Sequence, residues 1–289
     1  MKRNIYLKTI PPAEAVARVK ASIDREALIR EETIPSHEAS GRVLAHAVHA
    51  RYSSPTFHSA AMDGYAVNAR STFAAREGHP LTLKAGETCF AVNTGHPMPE
   101  GCDAVIMIEQ VVLDGGSVTI EAPAFPWQHV RRIGEDIVAT ELLFPRNHQL
   151  RPWDVGALLS GGIWDVPVWE RVTVRIIPTG DEVLDFTTHP DPGKGQVVES
   201  NSQMLAALAR ELGCVVERAA PVPDNPEALH QALKDSLDAG RHLTIFCAGS
   251  SAGSKDFTRA TLEKEGEILT HGIAAMPGKP SLLANCRGR

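Results

Sequence analysis

Cysteine is scarce in this sequence and follows no pattern. The five cysteines (Cys89, Cys102, Cys214, Cys247 and Cys286) are odd in number, widely spaced and never form Cys-x-x-Cys. Neither a disulfide framework nor a structural zinc site is therefore expected, and a reducing, cytoplasmic setting is. No run approaches the ~18 apolar residues of a membrane span. Met1-Lys2-Arg3-Asn4 leads into Thr9, Pro11 and Pro12 instead of the apolar stretch of a secretory signal. Basic tracts are missing as well, because Lys and Arg are scattered through a chain of formal net charge -6. Nucleic acid and membrane are not the expected partners, whereas a small anionic ligand is compatible with such a surface. Internal repeats and low-complexity tracts are also absent.

What the chain does contain is ordinary globular material. Its 289 residues are 43% hydrophobic and 22% charged, enough for two or three domains with cores of their own. Three zones follow one another. In the first, Pro11-Pro12 introduces a helix expected over 13–28, with Val16, Val19 and Ile23 on one face. The second, over 45–136, reads as β, with alternating runs at 81–84 and 104–112. Its Asp114-Gly115-Gly116 turn before Val118-Thr119-Ile120 is a hairpin signal. A short helix over 152–160 then leads through Gly161-Gly162 to the third zone.

There, strands and helices alternate. Strands are expected at 172–177, 214–220, 243–247 and 281–285. Helices are expected at 202–212 behind Asn201, at 226–237 behind Asn225, and at 257–265 behind Asp256. Strands separated by such helices pair in parallel through right-handed crossovers, so this zone is a doubly wound α/β domain. Ligands of such sheets collect at the carboxyl ends of the strands. Here those ends lead to Thr179-Gly180-Asp181-Glu182, to Pro221-Val222-Pro223-Asp224-Asn225, and to Ala248-Gly249-Ser250-Ser251-Ala252-Gly253-Ser254-Lys255-Asp256.

Several residues at that edge suit an anionic ligand. The small residues of 248–256 allow backbone N–H groups to converge on a phosphate ahead of a helix. A plain turn capped by Asp256 is the alternative, and no Walker pattern is present. Glu182, Asp224 and Asp256 are either three helix caps or three carboxylates around a Mg²⁺ held jointly with phosphate. Lys279, in Pro277-Gly278-Lys279-Pro280, is either a cation for an oxyanion or part of a surface turn. His46 and His49 would point to opposite faces of a strand, so a histidine metal site is not expected. There is no nucleophile elbow.

Four stretches, in order, carry a resemblance. They are Ser59-Ala60-Ala61-Met62-Asp63-Gly64-Tyr65-Ala66, Asn93-Thr94-Gly95-His96-Pro97-Met98-Pro99-Glu100-Gly101, Arg131-Arg132-Ile133-Gly134-Glu135-Asp136-Ile137, and Thr179-Gly180-Asp181-Glu182. Together they resemble the molybdopterin molybdenumtransferase family, which includes the corresponding domain of gephyrin. The resemblance covers nearly the whole chain. It implies an elongated, discontinuous first domain (1–45 and 137–169), an inserted β domain (46–136), and a molybdopterin-binding α/β domain (170–289). It also implies a homodimer whose cleft lies between the α/β domain of one subunit and the β domain of the other. A molybdopterin adenylyltransferase is the implied macromolecular partner.

The implied reaction hydrolyses adenylylated molybdopterin with Mg²⁺ while molybdate is ligated to the dithiolene, releasing AMP. Asp63 and Thr94 would serve the cleft from the β domain, and Glu182, Asp224 and Asp256 the Mg²⁺ and nucleotide. Gly249, Ser251 and Gly253 would bind phosphate through backbone groups, and Lys279 phosphate or molybdate. Ala248 departs from the family's usual first glycine, and Met276 from a lysine often found before Pro-Gly-Lys-Pro. Because family members continue beyond the position of Arg289, the chain is expected to be C-terminally incomplete, to bind ligand, and to insert molybdate poorly. The competing readings are a binding module without turnover and a molybdopterin adenylyltransferase.

Overall fold

The computed structural model describes residues 8–248 and 257–289. The chain divides into two compact units, one made of residues 33–168 and the other of residues 1–32 with 169–289.

The unit over 33–168 is mostly β. Gly64–Val67 lies between Cys89–Val92 and Ala104–Met107 in one antiparallel sheet. Ser117–Ile120 lies between Leu81–Lys84 and Val111–Asp114 in another. Alternation gives each strand two faces. Val67, Cys89, Ala104 and Ile106 of the first sheet pack with Leu83, Val118 and Ile120 of the second, all buried. Ala66, Val92 and Val105 point the other way and close over Ala60 and Val130. Burial of each such Val or Ile side chain contributes about 1.5–3 kcal/mol.

The Asp114–Ser117 hairpin forms as expected, with Gly115 and Gly116 at φ 51° and 90° in the left-handed conformation that a tight two-residue turn demands. The run at 104–112 does not form one strand. It breaks at a 3-10 turn, Ile108–Gln110, which carries the chain from the first sheet into the second. The remaining segments of this unit build a separate core of Leu44, Val48, Leu150, Leu158, Val166 and Val168 around the helix Pro152–Ser160.

The other unit is the doubly wound α/β domain that strand–helix alternation predicts. Thr173–Thr179 is its central strand, with Val215–Arg218 on one side and Leu243–Ala248 on the other, all parallel. Helix Asn201–Glu211 covers one face, where Val174, Ile176 and Ala206 pack together. On the other face Leu233 and Leu237 of helix Pro226–Asp238 pack with Phe246 and with Leu262 of helix Phe257–Glu265.

Three expectations need correction here. The first helix runs only over Pro12–Ser22, because the Asp24 side chain accepts from the Glu26 and Ala27 amides and opens a separate turn, Arg25–Leu28. Ala15, not Val16, is its buried residue. Asn201 is the first residue of its helix and not the cap; the Ser202 amide instead donates to Glu199 Oε1 at 2.7 Å. The last strand, Leu282–Cys286, pairs antiparallel with a strand that pattern reading missed, Gly266–His271, in a two-stranded sheet of its own. That strand follows its helix with no intervening loop. Gly266 permits it, since a Cβ there would overlap the Asn285 carbonyl.

Candidate functional site

In the α/β unit the sheet's switch point falls beside the carboxyl end of Thr173–Thr179. The helix that follows this strand covers one face, and the helix that follows Leu243–Ala248 covers the other. Thr179 is the partner of Ala248 at that end and is buried, its hydroxyl donating to the Cys247 carbonyl at 3.4 Å. Beyond Thr179 the chain turns at Gly180 (φ 138°). A Cβ on Gly180 would stand 2.7 Å from Val183 Cγ2 and 2.9 Å from Glu182 Oε2, so glycine is required for the Glu182 carboxylate to lie where it does.

The segment 220–225 runs alongside this turn. Gly180 N–H donates to the Val222 carbonyl at 3.1 Å, and Asp224 N–H donates to Asp181 Oδ1 at 3.1 Å. Asn225 then caps helix Pro226–Asp238 through the Ala228 amide at 2.8 Å. Asp181 therefore ties the Glu182 segment to the Asp224 segment, a contact that no motif indicated in advance. Glu182 is half-buried and Asp224 exposed, as groups meeting a ligand from solvent would be.

Beyond Glu182, Val183–Leu184 pairs in parallel with Val197–Val198, closing a long excursion between them. Beside it lies a partly buried polar cluster that sequence reading missed. Arg218 reaches from the end of its strand to Asp185 at 3.1 Å, to Ser202 Oγ at 2.9 Å and to Glu199 at 3.4 Å. Its guanidinium also sits 4.5 Å from the Phe186 ring centroid. The Asp185 carboxyl is held below its usual range, first by the Thr187 amide and then by Arg218 against the opposing cost of burial. Burial, with the Glu199 charge nearby, pushes the Cys247 thiol up to about 11, so this cysteine is no thiolate nucleophile at neutral pH.

The other expected residues of this unit are not gathered as the motifs suggest. Lys279 lies exposed in the turn Gly278 to Ser281, with no hydrogen bond or ion pair to Glu182 or Asp224 among the described residues. Gly249, Ser251, Gly253 and Asp256 lie outside the described residues. Met276, at 88% exposure, is the most exposed large apolar side chain of the chain's described part.

In the unit over 33–168 three of the four motif stretches converge. Ser59 and Ala60 pair with Arg131 and Val130. Gly95 N–H donates to the Ala60 carbonyl, and the Ala60 and Met98 amides donate back to His96 and His58. Ile133 N–H donates to His58 Nδ1 at 3.1 Å, and the Gly134, Asp136 and Ile137 amides close onto Pro55 and Ser54. At the centre, Asp63 Oδ1 accepts from the Thr94 amide at 2.7 Å and from the Thr94 hydroxyl at 3.0 Å. These two bonds hold the exposed carboxyl below the usual range, in that order of importance, with a smaller contribution from His96. Gly64 is demanded one residue later, because a Cβ there would overlap the Ile106 carbonyl oxygen.

Comparison with known proteins accounts for this arrangement. Residues 10–162 match the family described as "MoeA N-terminal region (domain I and II)", and residues 175–288 that described as "Probable molybdopterin binding domain". The chain is 31% identical to the molybdopterin molybdenumtransferase of Synechococcus elongatus, with 88% of this chain and 67% of that protein covered. It is 33% identical to that of Haemophilus influenzae, over 86% of this chain and 64% of the relative. It thus spans about two thirds of the length of these relatives. A crystal structure of a Pyrococcus molybdopterin biosynthesis MoeA protein superposes with a TM-score of 0.81 at 28% identity, covering 98% of this chain and 73% of that one.

Proposed function

The chain belongs to the MoeA family of molybdenum cofactor biosynthesis, and from that premise we propose that it inserts molybdate into adenylylated molybdopterin with release of AMP. The observation that supports this most directly is the bond from Asp224 N–H to Asp181, which sets Glu182 and Asp224 on one sheet edge. Two adjoining carboxylate segments at the switch point of a molybdopterin-binding domain are what a phosphate-bridged metal requires.

Mg²⁺ fits these residues. The donors are hard carboxylate oxygens; among the described residues no group of three or more His, Cys, Asp or Glu is placed to hold a metal ion by itself, so substrate oxygens and water would have to complete the shell. Mg²⁺ commonly takes one or two carboxylates and completes its shell with water and substrate phosphate. When bound there, it would neutralise charge on the phosphate oxygens of the adenylylated substrate. The chain's own part is to fix that geometry. Glu182 and Asp224, with Asp256, would hold the cation. By the resemblance, the backbone at Gly249, Ser251 and Gly253 would receive phosphate, and Lys279 would supply a positive charge for phosphate or molybdate. Water adds at phosphorus as the phosphoanhydride bond to AMP breaks, and the two dithiolene sulfurs bond to molybdate as one of its oxo groups leaves as water with the two thiol protons.

Asp63 forms a fixed acceptor with Thr94, pre-oriented so that no reorganisation is needed when substrate arrives. In a homodimer of the family type, Asp63 and Thr94 would complete the cleft of the partner subunit. The test is AMP release from adenylylated molybdopterin on addition of molybdate in the presence of Mg²⁺. Molybdate-dependent release that is lost in Glu182→Gln supports the reading. Tight binding of the nucleotide with no release would favour a binding module, to which the exposed Met276 already leans by placing no cation beside Lys279.

A further inference from the structure

We propose that Arg218 is a positioning residue that sets Glu182 and Asp224 relative to each other. The inference rests on the functional reading of those two carboxylates. It goes beyond that reading in assigning a role to a side chain that touches neither.

The argument starts from how the 181–200 segment is anchored. A loop of about twenty residues would normally be free to shift at a ligand edge. This one is closed by the pairing of Val183–Leu184 with Val197–Val198, and a single guanidinium grips side chains next to both halves of that ladder. At the near end Arg218 Nη2 donates to Asp185 Oδ1 at 3.1 Å and the guanidinium covers the Phe186 ring, three and four residues past Glu182. At the far end Nη2 donates to Glu199 Oε2 at 3.4 Å and Nε donates to Ser202 Oγ at 2.9 Å. Ser202 in turn donates to Glu199 at 2.5 Å, so the far end is locked onto the start of its helix. The side chains of Arg218 and Glu199 are 13% and 4% exposed, which keeps solvent from replacing these bonds.

The other arm of the argument is the position of Arg218 in its own strand. It is the last residue of Val215–Arg218, and the backbone leaving it becomes the segment carrying Asp224. That segment is fixed to the central strand by Ala219 N–H to Ile176 and by Gly180 N–H to Val222. One side chain therefore bridges from the base of the Asp224 segment to both ends of the Glu182 segment. Lysine could keep the charge but not the planar fork that serves three acceptors at once.

Calorimetric titration of AMP into the full chain, with and without Mg²⁺, tests this. The readout is the gain in AMP affinity that Mg²⁺ brings. Glu182→Gln should abolish the gain. Arg218→Lys and Asp185→Asn should each reduce it by roughly fivefold or more, leaving Mg²⁺-free AMP affinity within about twofold. If Arg218→Lys does not fold, Asp185→Asn decides, because it leaves Glu199, Ser202 and Arg218 joined. A full Mg²⁺ gain in Arg218→Lys and Asp185→Asn would overturn the positioning role while the functional reading stands. Absence of any gain in the unmodified chain, or a gain untouched by Glu182→Gln, would overturn the functional reading and this inference with it.

Discussion

Asp63 and Thr94 are joined twice: one carboxylate oxygen of Asp63 accepts both the backbone amide and the hydroxyl of Thr94, at 2.7 and 3.0 Å. Thirty-one residues separate them in the chain, and both are exposed. Because the amide bond is the larger cause of the lowered Asp63 pKa, Thr94→Val should raise that pKa only part of the way back to the ordinary range. Carboxyl-carbon NMR titration measures it directly. An unshifted Asp63 would mean that the hydroxyl bond does not persist in solution. Molybdate-dependent AMP release should fall much further in Asp63→Asn, by ~10²-fold if the carboxylate acts in the cleft.

Gly180→Ala should be costly where Gly95→Ala is mild. Both glycines have left-handed φ, 138° and 85°, but only at Gly180 would the new methyl press on Val183 and the Glu182 carboxylate. The expected result is a loss of Mg²⁺-dependent AMP binding of about tenfold or more for Gly180→Ala, the scale of a lost charge-assisted contact. Gly95→Ala should leave binding intact and cost only ~1 kcal/mol of stability from backbone strain. Equal effects on binding would remove the steric argument for Gly180.

Asp224→Ala addresses the same edge from its other strand end. It should weaken AMP binding about tenfold in the presence of Mg²⁺ and little without it. Asp256→Ala should behave likewise. Unchanged calorimetric affinity in both would withdraw the carboxylates from the phosphate site.

Acid stability of the unit over 33–168 should depend on Asp154. Burial alone would raise its pKa. Hydrogen bonds from Arg151 (side chain and amide) and from His148, with the Arg151 charge, more than offset this and bring it to about 2. A depressed folded-state pKa contributes stability above the unfolded value near 3.9, lost as pH falls through the folded value. The loss should therefore appear between about pH 4 and pH 2, and Asp154→Asn should abolish that part of the pH dependence. Denaturant midpoints across this range measure it. At neutral pH the same variant should cost ~1–2 kcal/mol, since Asp154 also closes the start of helix Pro152–Ser160.

Sedimentation should give twice the 31.2 kDa chain mass if the cleft is completed by a partner subunit. A strict monomer at tens of micromolar would leave Asp63 and Thr94 without a catalytic role in this chain.

Local signals made much of this protein legible from the sequence. Helix Pro226–Asp238, with proline at its first turn and Asn225 capping it, forms because cap and propensity agree within a few residues. The Asp114–Ser117 hairpin needs only two glycines free to take positive φ. Strand–helix alternation decided the parallel α/β sheet, because crossover helices accommodate that order. The ordered motif stretches carried the family, and the resemblance is what proposes roles for Asp63, Thr94, Glu182 and Asp224. Long-range packing decided the remainder. Nothing local distinguishes a last strand that extends the parallel sheet from one that turns antiparallel onto Gly266–His271, since period and composition are the same for both. Arg218 has no motif. Asp185, Glu199 and Ser202, distant from it along the chain, meet its partly buried guanidinium only once the chain has folded. Asp181 likewise became an anchor for Asp224 only when two strand ends were placed side by side, which is a property of sheet order and not of any short stretch of residues.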